Sequence, residues 1–324
     1  MMTDYPVYLK AAKSGKLRKV ASALFDLLQS CMICPRLCSV NRLENKIGFC
    51  KTKALAKVYS FMAHHGEEPP ISGKNGSGTI FFSHCNMGCV YCQNYEFSQL
   101  GKGIEYTIDQ LAKLMLDLQS LGCHNINLVT PTHILPQILL SLELAVVQGL
   151  RIPLVYNTSG YELASTIELL DGIVDIYLAD MRYADSAISQ RLSKAIDYPQ
   201  CNRVAIKEMY RQVKEAEFDQ AGLMKRGLII RHLVLPNQCS GTDKIMQFIA
   251  QEISEDTYVS LMSQYLPYYQ ASDYLEISRR LKAREYEEAK NILKKYNLSN
   301  GWIQESYGAE RFAGVNIKPT FDDQ

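Results

Sequence analysis

Net charge is nearly absent from this sequence: 35 Lys and Arg stand against 34 Asp and Glu, a formal +1. Bulk electrostatics therefore gives no reason to expect a nucleic acid or an anionic membrane as partner. Long apolar runs are missing too. The most apolar stretch, residues 134–150, is interrupted by Pro136, Gln137, Glu143 and Gln148, which makes it too polar for a membrane span. The opening residues, MMTDYPVYLKAAKSGK, lack the apolar core of a secretory signal, so a soluble, cytoplasmic protein is expected. No internal repeat or low-complexity tract is present. Cysteine is sparse for a disulfide scaffold, ten residues in 324 or about 3%. Seven of those ten nevertheless fall in two tight groups, and in a reducing compartment such groups read as metal sites rather than disulfides.

What is present is a regular alternation. Apolar residues make up 47% and charged residues 21%, an ordinary globular balance with enough chain to bury a large core. After a Gly- and Pro-rich loop at 66–78, short apolar runs at 79–83, 125–130, 153–157, 174–179, 228–235 and 257–262 read as strands. Helical patterns separate them. The clearest starts at Thr107, which forms a capping box with Gln110, continues through Leu111, Leu114, Met115, Leu118 and Leu121, and stops at Gly122. Others cover 134–148, 162–170, 186–216, 243–254 and 272–296. Strands alternating with helices predict an α/β fold whose parallel sheet of six units closes partway into a barrel. The interval 180–227 is long for one crossover and predicts an insertion. In such folds chemistry sits at the C-terminal strand ends, here residues 83–92, 130–133, 157–160, 180–183 and 236–237.

The first of those ends reads GSGTIFFSHCNMGCVYCQN over 76–94, placing Cys85, Cys89 and Cys92 in C-x3-C-x2-C spacing. Iron–sulfur clusters need thiolates converging from a compact loop, and a cubane of four irons usually takes four. Three leave one iron without a protein ligand, where a small molecule can chelate. Competing readings are buried structural thiols, a zinc site completed by His84, and a four-cysteine electron-transfer cluster completed by Cys123.

The second group, Cys31-x2-Cys34-x3-Cys38-x11-Cys50, supplies four thiols. A closed tetrahedral shell suits a structural zinc, and an auxiliary [4Fe–4S] cluster fits the count equally well. His64 and His65 are further candidate ligands, although adjacent loop histidines are more often exposed.

With Tyr91 ahead of its last cysteine, the triad resembles the motif of the radical S-adenosylmethionine superfamily. The following Gln93-Asn94 and the preceding GSGT strand resemble the pyruvate formate-lyase-activating enzyme branch. Together, CPRLCSVNR (34–42), HHGEEPPISG (64–73), GTIFFSHCNMGCVYCQN (78–94), NINLVTPTH (125–133), VYNTSGYE (155–162), VDIYLADMRY (174–183) and RHLVLPN (231–237) resemble an uncharacterised bacterial and archaeal group related to that activase. The resemblance implies a partial (β/α)6 barrel with a cysteine-rich N-terminal extension. It implies three units: a helical and Cys-rich extension over 1–75, the barrel over 76–270, and a C-terminal helical segment packed on the barrel over 271–324. It implies a [4Fe–4S] cluster on Cys85, Cys89 and Cys92, and S-adenosylmethionine cleaved there to a 5′-deoxyadenosyl radical that abstracts hydrogen. Thr130, Asn157, Ser159 and Asp180 are the positions it points to for the cofactor. The branch's glycine-rich turn reads Thr130-Pro131-Thr132-His133 here, and Arg182 stands where the activases have lysine. An electron donor such as a flavodoxin or ferredoxin and a protein substrate are the implied partners. The reading from another class is an iron–sulfur protein that transfers electrons or senses, without turning the cofactor over.

Overall fold

The computed structural model describes residues 5–304, and the expected C-terminal helical segment lies partly outside the described residues, beyond 304. The chain opens with helices α1 (Tyr8–Lys13) and α2 (Lys16–Asp26), followed by the cysteine-rich loops and strand β1 (Ala56–His64). A short helix α3 (Pro69–Ser72) leads into β2 (Ser77–Phe82), which the cysteine loop, α4 (Tyr95–Ser98) and β3 (Ile104–Tyr106) follow. Then come α5 (Ile108–Ser120), β4 (Ile126–Val129), α6 (Leu135–Val147), β5 (Leu154–Thr158), α7 (Ala164–Glu168) and β6 (Ile176–Asp180). The long interval holds two helices, α8 (Ser186–Ser193) and α9 (Tyr198–Val213), and a two-residue strand β7 (Glu217–Phe218) ahead of β8 (Met224–Leu233). The described chain closes with α10 (Thr242–Phe248), β9 (Tyr258–Met262), α11 (Ala283–Lys295) and β10 (Gly301–Ile303).

The strands form one sheet in the order β10-β9-β8-β6-β5-β4-β2-β1-β3, with β7 paired to β8. Strands β2, β4, β5, β6, β8 and β9 run parallel to one another, and they are the six strands expected from the apolar runs. All positions of β2, β5 and β6 are buried, as continuous apolar runs between two layers require. The protein is thus an α/β partial barrel. Strand β1 was not expected. It pairs antiparallel with β2, so a segment read as part of the N-terminal extension contributes to the sheet. Its apolar alternation is weak, and only its first residues, Ala56 and Val58, are buried.

Helix packing follows the pattern of the sequence. The capping box of Thr107 and Gln110 is present, and α5 buries Leu111, Leu114, Met115 and Leu118. Helix α6 buries Leu135, Ile138, Leu139 and Leu142, and α2 covers it with Leu17, Val20, Ala21 and Leu24. Each such buried side chain stabilises the fold by about 1.5–3 kcal/mol. The N-terminus is also fastened by polar bonds. The Val7 N–H donates to Asp175 Oδ1 at 2.8 Å, and the Tyr8 hydroxyl donates to the Ile152 carbonyl at 2.7 Å. Helices α8 and α9, expected as one stretch, are separated at Lys194, whose φ of 56° ends α8 in the left-handed region. No helix among the described residues is long and apolar enough to cross a membrane.

Candidate active site

The triad loop leaves the C-terminal end of β2 and is pinned to the end of α8. The Gly88 and Val90 N–H groups donate to the Ser193 and Leu192 carbonyls at 3.0 and 2.9 Å. Each sulfur has a hydrogen-bonding neighbour. The Met87 N–H donates to Cys85 Sγ at 3.3 Å, the Ser193 hydroxyl to Cys89 Sγ at 3.0 Å, and Cys92 Sγ shares a 3.1 Å bond with Ser98 Oγ. Arg182 Nη1 donates to Cys89 Sγ at 3.2 Å. Burial pushes the Cys85 thiol up to about 12 and the Cys92 thiol to about 11, with the neighbouring Cys89 adding to both. Three thiols ringed by N–H and O–H donors suit an anionic iron–sulfur cluster.

One of the alternatives raised by the sequence fails on position. Cys123 packs beside Gly78, where a β-carbon would stand 3.1 Å from its Cβ. Gly78 is near the start of β2 and the triad follows its end, so Cys123 lies at the opposite end of the strand. The His84 ring, next in the chain to Cys85, fills the space over Gly101. Among the described residues, no three His, Cys, Asp or Glu side chains gather around a single metal ion.

Beside the triad, a cavity of about 200 Å³, open to solvent, occupies the barrel mouth. Cys92, Asn157, Asp180, Arg182, Arg231 and Glu67 all line it. A fixed chain of charge runs across its floor. Arg182 places Nε and Nη2 on Asp180 Oδ2 at 3.0 and 2.6 Å. Arg231 places Nε on Asp180 Oδ1 at 2.8 Å and Nη2 on Asn157 Oδ1 at 2.6 Å, with Nη1 3.5 Å from Glu67 Oε2. Burial pushes the Asp180 carboxyl up, but Arg231 and Arg182 outweigh it and hold the group below the usual carboxylate range. Burial raises Glu67 and Glu68, and Glu68 Oε2 has no partner. The cavity thus offers fixed cations, carboxyls and an amide to a ligand that carries both charges and hydroxyls.

Of the positions expected to hold the cofactor, Asn157 and Asp180 line this cavity, whereas Thr130 and Ser159 are not among its lining residues. Thr130 adopts a φ of 59°, and its N–H donates to the Asn157 carbonyl at 2.8 Å. The Ser159 hydroxyl is buried without a partner. His232 is a packing residue: burial lowers it to about 4, and it bonds the Met181 carbonyl at 2.7 Å and Thr242 Oγ1 at 3.0 Å. Sequence reading missed Glu67, Glu68 and Arg231 as cavity residues. Two adjacent acids in a Gly- and Pro-rich loop were the available signal, but only β1 pairing carries them to the mouth.

The second cysteine group forms a separate site. Cys31, Cys34, Cys38 and Cys50 line one cavity together with Arg36 and Arg42. His64 lines the barrel mouth instead of this cavity.

This chain belongs to the radical SAM superfamily, whose family model matches residues 79–249, just over half of it. The class carries its cofactors with it: a [4Fe–4S] cluster and S-adenosylmethionine, in an enzyme that performs radical chemistry. The chain is 34% identical over 283 residues to the uncharacterised protein MJ0674 of Methanocaldococcus jannaschii, covering 84% of this chain and 77% of that protein. Among solved structures it resembles Streptococcus suis SuiB bound to its precursor peptide SuiA, at 12% identity and a TM-score of 0.48. That match covers 69% of this chain and 47% of SuiB, so the chain spans about half the length of that neighbour. Methylornithine synthase PylB matches at 13% identity and a TM-score of 0.43, over 94% of this chain and 75% of PylB.

Proposed function

We propose that Cys85, Cys89 and Cys92 hold the [4Fe–4S] cluster, and that the protein cleaves S-adenosylmethionine there to abstract hydrogen from a polypeptide, in the manner of a glycyl-radical activase. One observation carries the site assignment. Three thiols stand together at the C-terminal end of β2 while Cys123 lies at the other end, so a cluster held by the three would take no fourth ligand from Cys123. When bound, the cluster and cofactor supply a reductively generated 5′-deoxyadenosyl radical. The chain's own residues do the positioning. Arg182 donates to the Cys89 thiolate while Asp180 holds its fork. Arg231 and Asn157 present a cation and an amide to the cofactor's carboxylate and hydroxyls, and Glu67 and Glu68 face the cavity with negative or protonated carboxyls. An electron donor such as a flavodoxin or ferredoxin and a cytoplasmic location complete the reading, which makes the protein an oxidoreductase. The four N-terminal thiols stand as a separate metal centre, structural zinc or a second cluster by their count.

The test is turnover by anaerobically reconstituted, reduced protein. It is expected to convert S-adenosylmethionine to 5′-deoxyadenosine and methionine, slowly without substrate. The C85A/C89A/C92A variant is expected to lose this activity while remaining folded by circular dichroism. Cofactor binding with no cleavage under strong reductant would favour electron transfer or sensing. Cleavage that survives in the triple variant would overturn the site assignment.

A further inference from the structure

We infer that Cys31, Cys34, Cys38 and Cys50 hold a second [4Fe–4S] cluster, ligated at all four corners and braced against the triad loop. The inference rests on the reading above only in taking the triad as the first cluster's site.

The local backbone is built to bring the four thiols together. Cys31-x2-Cys34-x3-Cys38 delivers three from one tight loop, in the triad's spacing read backwards. The loop closes on itself: the Ser39 N–H donates to the Cys31 carbonyl at 2.9 Å, the Leu37 N–H to the Cys34 carbonyl at 3.0 Å, and the Cys31 N–H to the Val40 carbonyl at 3.0 Å. Leu37 and Ser39, either side of Cys38, both take positive φ, 43° and 53°. Gly48 then lets the Cys50 turn approach, since a β-carbon there would stand 2.7 Å from Cys38 Sγ. Strain at two non-glycine residues and a glycine at the point of contact serve one arrangement, four thiols around a common cavity.

The surroundings fit a buried anion. Arg42 is 1% exposed, and its Nη1 lies 3.8 Å from Cys31 Sγ. The Phe49 N–H donates to Cys38 Sγ at 3.4 Å. The Arg36 guanidinium sits on the Phe49 ring, 3.6 Å from its centroid. Four thiolates around a dicationic core leave a double negative charge, which two guanidinium groups balance.

The two metals ask different things of these thiols. Zinc needs its ligands on one ion, with sulfurs at about 2.3 Å, whereas a cubane takes one thiolate at each corner, so four cysteines lining a common cavity suit it.

The two groups also touch. Arg36 Nε donates to the Asn86 carbonyl at 2.8 Å, and Nη1 reaches the Lys194 carbonyl. Asn86 follows Cys85 in the triad loop. Arg42 Nη1 donates to the His133 carbonyl at 2.8 Å, and His133 Nε2 bonds the Ser83 carbonyl at 2.8 Å. With every corner ligated, this centre exchanges single electrons and leaves no iron for a small molecule to chelate.

The experiment counts metal in protein reconstituted anaerobically with iron and sulfide, zinc also present. Wild type is expected to bind about eight irons and eight sulfides per chain. The C85A/C89A/C92A variant is expected to keep about four of each, with a reduced-state EPR signal that S-adenosylmethionine does not alter. The C31A/C34A/C38A/C50A variant is expected to keep about four, with a signal that does respond. Should that variant fail to fold, the wild-type count and the triad variant still decide. Wild type with about four irons and one zinc, or a folded triad variant without iron, would overturn the second cluster. Failure of the first reading looks different: no signal in wild type would respond to S-adenosylmethionine, whatever the iron count.

Discussion

Arg182 divides one guanidinium between two acceptors of different kinds. Its Nε and Nη2 hold Asp180, while Nη1 reaches the Cys89 sulfur at 3.2 Å. A planar fork can do both at once, whereas a lysine is a single point donor. Arg182→Lys is therefore expected to keep the ion pair with Asp180 and lose the bond to sulfur. Removing a cationic donor from a thiolate disfavours the reduced, more negative cluster. The reduction potential of the triad cluster should fall by several tens of millivolts, the one-electron equivalent of about 1–2 kcal/mol. Potentiometric titration followed by EPR measures it, and an unchanged or higher potential would contradict the assignment of Nη1. This residue and Asp180 were legible in the sequence because both follow an apolar strand, where parallel α/β folds place chemistry. Arg231 was harder to read. It lies within β8, and its partner Glu67 comes from a loop more than 160 positions earlier in the chain, so no local pattern links them.

At the level of elements, one buried acid ties together the turns that follow β4 and β5. Glu162 is fully buried, and its Oε1 accepts from Thr132 Oγ1 at 2.6 Å, from Tyr156 Oη at 3.3 Å and from Thr158 Oγ1. Its Oε2 has no partner. Burial raises the carboxyl to about 7, against three hydroxyl donors that lower it. A raised folded-state value means the protonated acid is the form the fold favours. Its contribution is complete below the unfolded value near 4.5 and is lost as pH rises through about 7. Glu162→Gln keeps the acceptor oxygen and removes the titration. The variant is expected to match wild type near pH 4.5 and to exceed it by a few kcal/mol above pH 7. Denaturant midpoints across that range give the difference directly, and parallel curves for the two proteins would refute the protonated acid. The elements themselves were largely legible. Six parallel strands announced themselves as apolar runs because both sheet faces are covered. Strands β1, β3 and β10 were not, since they are partly exposed and depend on pairing partners for their definition. The division of 186–216 into α8 and α9 was missed because Lys194, an ordinary helix former, takes the left-handed conformation there.

Across the described residues, the sheet is an open path with β3 at one end and β10 at the other. Among the described residues the barrel is therefore not closed by strand pairing. The chemistry needs a substrate atom held close to the cofactor's 5′ carbon, because hydrogen abstraction depends on positioning more than on any residue's acidity. The mouth cavity is open to solvent, and stacked Tyr95 and Tyr269, with centroids 5.0 Å apart, stand between the triad's helix and the loop after β9. An extended chain entering from the side can bring one residue to the cavity while the rest stays outside, which an enclosed pocket would forbid. The substrate is thus expected to be macromolecular. Reduced enzyme given deuterium-labelled cell extract, separated by size, should transfer label into 5′-deoxyadenosine from the polypeptide fraction, and protease treatment of that fraction should abolish the transfer. Label arriving only from the small-molecule fraction would replace the polypeptide with a small substrate and leave the radical chemistry standing.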